Sequence, residues 1–127
     1  MNDDDILAVA RAGFLDEARE NLQQFEQSLL TMESNPGDTE AVNGAFRAAH
    51  TIKGTAGMFG FEAVVTFTHE VESLLDDVRE GKAALNDASM ALLLQSRDQM
   101  GLLIAEVGTT DPDPELAAAS TALGDAL

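Results

Sequence analysis

Apolar residues recur at alternating steps of three and four along nearly the whole chain, and this period restricts the fold more than any other feature. Leu15, Ala18, Leu22, Phe25, Leu29 and Met32 make one unbroken stripe, which predicts a long helix from roughly Ile6 to Glu33. Ser34-Asn35-Pro36-Gly37 ends it, and Asp38 or Thr39 offers the N-cap of a second helix. There the inward stripe reads Ala45, Ala49, Ile52, Ala56 and Phe59, with Gly60 marking the end. A third helix is expected from about Phe61 to Glu80, with Val64, Phe67, Val71, Leu74 and Val78 inward and Gly81 as its C-terminal cap. Asn86 or Asp87 then caps a fourth, with Ser89, Leu93, Ser96, Met100, Ile104 and Val107 on its stripe. After Gly108, Thr109 and Thr110, the pair Asp113-Pro114 reads as an N-cap followed by proline in the first helical position. A short fifth helix would carry Leu116, Ala119 and Leu123.

Four long amphipathic helices with short connections have one economical arrangement, an antiparallel bundle. The expected fold is therefore all-α: a four-helix bundle over residues 1–108. Residues 109–127 form either a short fifth helix or the start of a linker to the rest of a longer protein. Composition agrees. Apolar residues make up 45% of the chain but aromatics only 5%, without Trp or Tyr, which suits packed helices better than stacked strands. No apolar run reaches the ~20 residues that span a bilayer, and Met1-Asn2-Asp3-Asp4-Asp5 is unlike the basic start of a secretory signal. The chain has no Cys, so disulfides and thiolate chemistry are excluded, in keeping with a cytoplasmic location. Its net charge of −16 repels nucleic-acid backbones and anionic lipid, so neither is an expected partner. The same charge repels ATP, and any nucleotide has to be presented by another domain or protein. Acidity also serves plain solubility.

On a helical wheel His50 lies about 140° from Ala45, outside the apolar stripe and facing solvent. Lys53, Gly54 and Gly57 share its face at i+3, i+4 and i+7. Each helical glycine costs roughly 0.5–1 kcal/mol relative to Ala. Two of them beside an exposed imidazole imply that something approaches it closely; tight helix–helix contact is the other explanation. On the third helix His69 and Glu72 stand three apart on one face. A Glu72 carboxylate that accepts from Nδ1–H of His50 leaves the lone pair on Nε2 and makes that nitrogen nucleophilic. Lys53 is placed to offset the charge of an arriving phosphoryl group, and His69 to donate to Glu72 or His50.

The string from Phe46 to Phe61, FRAAHTIKGTAGMFGF, closely resembles the phospho-acceptor helix of CheA-type chemotaxis histidine kinases, and His69-Glu70-Val71-Glu72-Ser73-Leu74-Leu75-Asp76 resembles the supporting motif on their third helix. Phe14-Leu15-Asp16-Glu17-Ala18 and Leu29-Leu30-Thr31-Met32-Glu33 are similar to the family's first helix. The resemblance runs from about Ile6 to Val107 and implies a histidine phosphotransfer (HPt) domain. Its His50 accepts phosphate at Nε2, Glu72 orients the ring, Lys53 and His69 complete the network, and Gly54 and Gly57 leave room for an incoming active site. Thr51 and Thr55 stand where the family often has Ser and Gly; Thr55 points away from His50. The resemblance further implies that the domain is a phospho-carrier and holds no cofactor, ATP and Mg²⁺ being supplied by partner domains. Those partners are a histidine kinase catalytic domain, in cis or in trans, and the receiver domains of response regulators. It also implies a monomer in isolation, working in the cytoplasm within chemoreceptor signalling clusters. Consistently, the chain has no Walker-type phosphate loop.

Three other readings compete. A ferritin-like metal bundle needs Glu-x-x-His on two helices, whereas this chain has the order His69-x-x-Glu72 once. A structural or adaptor bundle leaves unexplained why both histidines fall in the two motifs. A phosphotransfer module of a relay outside chemotaxis shares the chemistry and differs only in pathway.

Overall fold

The computed structural model describes residues 3–107 and 113–127. It contains five helices: α1 (Asp3–Ser34), α2 (Thr39–Phe59), α3 (Glu62–Arg79), α4 (Asp87–Glu106) and α5 (Pro114–Ala126). Four of them close into an antiparallel ring, with α1 against α2 and α4, and α3 against α2 and α4; α5 lies on α3 and α4. The helix ends follow the local chemistry. Asp38 accepts from the Ala41 amide at 3.1 Å to start α2, and Gly60 stops it with φ 75°, a left-handed conformation that needs no Cβ. Asn86 and Ser89 form a reciprocal capping box at the head of α4, each backbone N–H donating to the other's side chain at 2.9 Å. Asp113 caps α5 ahead of Pro114. The break expected at Gly108, Thr109 and Thr110 lies outside the described residues.

The core is one continuous cluster drawn from α1 to α4, including Phe14, Phe25, Leu29, Ile52, Val64, Val71, Leu93 and Met100. Several inward assignments differ from the period. Phe14 rather than Leu15 opens the buried stripe of α1, because its ring packs against Phe61 at 4.8 Å and against Phe59 at 6.1 Å. Phe59 itself is 41% exposed: as the last residue of α2 it has those two rings beside it but no complete layer over it. Ser89 spends its hydroxyl on the cap, and Met90 takes the inward place. Leu74 and Val78 are only partly buried, while Leu75 and Thr68 are fully buried. Val107 is likewise partly buried. On α5 the buried position is Gly124, where an added Cβ would make ordinary contacts, 3.7 Å from Glu70 Cγ and 3.9 Å from Phe67 Cδ1; Ala119 is exposed. Gln99 ties α5 to α4 by donating to Ser120 Oγ at 2.7 Å and to the Leu116 carbonyl at 3.3 Å. Among the described residues no helix is long and apolar enough to cross a membrane.

Candidate functional site

The antiparallel groove between α2 and α3 gathers the polar residues singled out in the sequence. His50 projects from the middle of α2 with 62% of its side chain exposed, and its Nδ1 lies 3.0 Å from Oε1 of Glu72. Glu72 reaches across from α3 and is only 13% exposed. Lys53, one turn beyond His50 on the same face, places Nζ 2.7 Å from the other carboxylate oxygen, Oε2. Lys53 and Glu72 thus form an ion pair across the groove. Burial pushes the Glu72 carboxyl upward, but the contacts and charge of Lys53 and the His50 ring outweigh it and hold the group below the usual carboxylate range. Glu72 is therefore ionised at neutral pH. An ionised carboxylate only accepts, so a proton sits on Nδ1 of His50, and the neutral form of the ring keeps its lone pair on Nε2. Nε2 is thus the nucleophilic nitrogen of an exposed ring.

His69 does not join this network. It stands one turn before Glu72 on α3, which brings it opposite Gly54 rather than His50. Its exposed ring makes no hydrogen bond with Glu72 or His50 among the described residues. Instead it borders a shallow groove of about 430 Å³ with Lys53, Gly54, Gly57, Val65, Thr66 and Glu70. The glycines in that groove are not there for helix packing. A Cβ added at Gly54 would meet nothing within 4 Å, and one at Gly57 would make an ordinary 3.9 Å contact with Val65. They keep the surface beside His50 low. Thr55 is half-buried, while the Thr51 hydroxyl donates to the Arg47 carbonyl at 2.9 Å and stays away from the ring.

Two neighbours of His50 escaped the sequence reading. Phe46 presents its ring to His50 at a centroid distance of 6.1 Å with only 10° between the planes, and Arg79 of α3 lies over the Phe46 ring at 4.1 Å. The i, i+4 spacing of Phe46 and His50 was a usable signal; the arrival of Arg79 depends on how α3 is rotated against α2. As to metal, no group of three His, Cys, Asp or Glu side chains stands together as ligands among the described residues.

The profile of the Hpt domain matches residues 9–110. The chain belongs to the Hpt family. Over 87 residues, 68% of its length, this Hpt domain is 46% identical to the chemotaxis protein CheA of Salmonella typhimurium, of which it spans 13%. Among solved structures it is similar to the CheA phosphotransferase domain from Thermotoga maritima. The TM-score is 0.73 at 31% identity, over 86% of this chain and 100% of that one. It is also similar to the phosphorylated P1 domain of CheA3 in complex with CheY6 from R. sphaeroides. There the TM-score is 0.80 at 25% identity, over 93% of this chain and 91% of that one. This Hpt domain is a phosphotransfer domain of the CheA type.

Proposed function

We propose that His50 is the phospho-acceptor of this domain, and that it carries a phosphoryl group from a chemotaxis histidine kinase catalytic domain to an aspartate of a response regulator. The observation that carries the proposal is the 3.0 Å contact between Nδ1 and Glu72 on a ring whose other nitrogen is open to solvent. In the first step the Nε2 lone pair bonds to the γ-phosphorus of ATP while the bond to the ADP oxygen breaks, and ADP leaves with that electron pair. The proton stays on Nδ1, where Glu72 balances the positive charge that the ring acquires. In the second step a receiver carboxylate bonds to phosphorus, the P–N bond breaks, and its electrons return to Nε2. No proton has to leave the ring in either step. Lys53 offsets phosphoryl charge, and the low surface at Gly54 and Gly57 admits each partner's active site. His69 borders that low surface and belongs to the docking side of the site.

ATP and Mg²⁺ are brought by the partners, because a domain with net charge −16 is a poor host for a nucleotide by itself. CheA3, a relative, has been captured with CheY6, which supports a receiver as the second partner. The domain works as a monomer in the cytoplasm, at chemoreceptor clusters, with no part in nucleic-acid or membrane contact. The test is phosphorylation by a CheA-type kinase domain with radiolabelled ATP. The expected result is an acid-labile label that disappears in His50→Gln and moves to a receiver domain when one is added. A label that survives in His50→Gln, or none at all with an active kinase, overturns the assignment.

A further inference from the structure

The geometry points to Phe46 as a positioning residue for the His50 imidazole, with Arg79 as the clamp that holds Phe46 in place. This inference rests on the reading of His50 as phospho-acceptor and extends it.

One hydrogen bond holds a side-chain ring loosely. The Glu72 contact tolerates a spread of lengths and angles, so χ1 and χ2 of the imidazole keep some freedom, and as they change the hold on Nδ1 weakens and Nε2 swings through an arc. An in-line attack on phosphorus requires that nitrogen to point along the reaction axis, so a second restraint has to act on the ring plane. Phe46 supplies it. It sits one turn before His50 on the same face of α2, with its ring within 10° of parallel to the imidazole and 6.1 Å away between centroids, inside the range of aromatic pairs. A half-buried Phe is itself a loose wall unless something holds its other contacts. Arg79 does so from α3, with its guanidinium carbon 4.1 Å from the Phe46 centroid. Arg79 is fixed in turn by a charge-assisted hydrogen bond to Asp76.

The contacts therefore form one line along the α2–α3 groove, from Asp76 through Arg79, Phe46 and His50 to Glu72 and Lys53. The antiparallel direction of the two helices makes this possible. Phe46 lies toward the N-terminus of α2 from His50, and Arg79 lies toward the C-terminus of α3 from Glu72. The imidazole is thus held at its edge by Glu72 and along its face by Phe46.

The test compares wild type with Phe46→Leu, Phe46→Tyr, Arg79→Gln and Arg79→Lys. Two readouts are used: ¹⁵N NMR of the neutral His50 ring, and steady-state phosphorylation by a CheA-type kinase domain. Phe46→Leu keeps apolar bulk but removes the flat face. We expect it to lower kcat about tenfold with KM unchanged, and to reduce the share of rings protonated at Nδ1. Phe46→Tyr restores both, while Arg79→Gln shows a weaker form of the same loss and Arg79→Lys falls between. Circular dichroism checks that each variant is folded. If Phe46→Leu raises KM and leaves kcat and the tautomer ratio alone, Phe46 is a docking residue and the positioning role is wrong. Unchanged behaviour in both readouts also overturns it. Failure of the underlying reading looks different: wild type itself takes no label, or His50→Gln keeps it.

Discussion

At the scale of single residues, the site depends on a carboxylate that stays charged in a half-buried place. Burial drives Glu72 upward, but Lys53 and the His50 ring together bring it below its ordinary range. A carboxyl whose folded value is depressed adds stability that is complete above its unfolded value and is lost as pH falls through the folded one. The stability gap between wild type and Glu72→Gln, measured by urea unfolding, should therefore hold down to about pH 5 and close below about pH 4, where the unfolded carboxyl already takes up its proton. A gap that shows no narrowing between about pH 5 and about pH 2 contradicts the ion pairing. The three groups of this network were legible in the sequence because each lies at helical spacing within its own helix: His50 with Lys53 on α2, and Glu72 at the edge of the α3 stripe. Arg79 was not, since nothing in one helix's spacing reports how its neighbour is rotated. His69 shows the same limit from the other side: its spacing from Glu72 was read correctly, yet the register of α3 against α2 sets it opposite Gly54.

Among the elements, α2 trades its own stability for an open surface. Gly54 and Gly57 each cost a helix roughly 0.5–1 kcal/mol relative to Ala, and neither position is crowded by a neighbour. Gly54→Ala and Gly57→Ala should consequently raise the midpoint of thermal unfolding while slowing phosphotransfer to a receiver, because each adds a methyl group to the floor beside His50. Stabilisation without a loss of transfer rate removes the close-approach role from these glycines. Helix limits were the most legible part of the fold, since Asp38, Gly60, Asn86 and Asp113 act as caps through their own side chains or backbone. Facing was legible along most of each helix, though one residue out of step at Phe14 and Leu75, and it was lost at some helix ends. Ser89 looked inward by period but is taken by the α4 capping box, and Phe59 runs out of neighbours at the last turn of α2. The breadth of α4's buried face, with Met90, Gln99 and Leu103 added to the narrow stripe, follows from its packing on three helices: α1, α3 and α5. Such breadth belongs to the assembled bundle and cannot be written in one helix's period.

The molecule as a whole sets 23 acidic residues against 7 basic ones, and three of those seven, Arg47, Lys53 and Arg79, lie within four residues of His50 on α2 or touch its neighbours from α3. His50 thus lies where cations gather on a strongly anionic body, with Lys53 and Arg79 offsetting the carboxylates of Glu72 and Asp76, so this face repels phosphoryl groups less than the purely acidic surface does. Elsewhere the like charges repel one another in the folded state more than in the expanded chain. Screening shortens from about 30 Å at 0.01 M salt to about 8 Å at 0.15 M, so added NaCl at pH 7 relieves this repulsion between surface carboxylates. The half-buried Lys53–Glu72 contact is screened less, and its attraction survives. The unfolding temperature should then rise by a few degrees across that range, the shift that about 1 kcal/mol produces in a domain of this size. Differential scanning calorimetry in NaCl, repeated in choline chloride to remove specific cation binding, measures it. A fall in both salts means that attractive surface pairs outweigh the net negative charge, and the anionic body then carries no destabilising load.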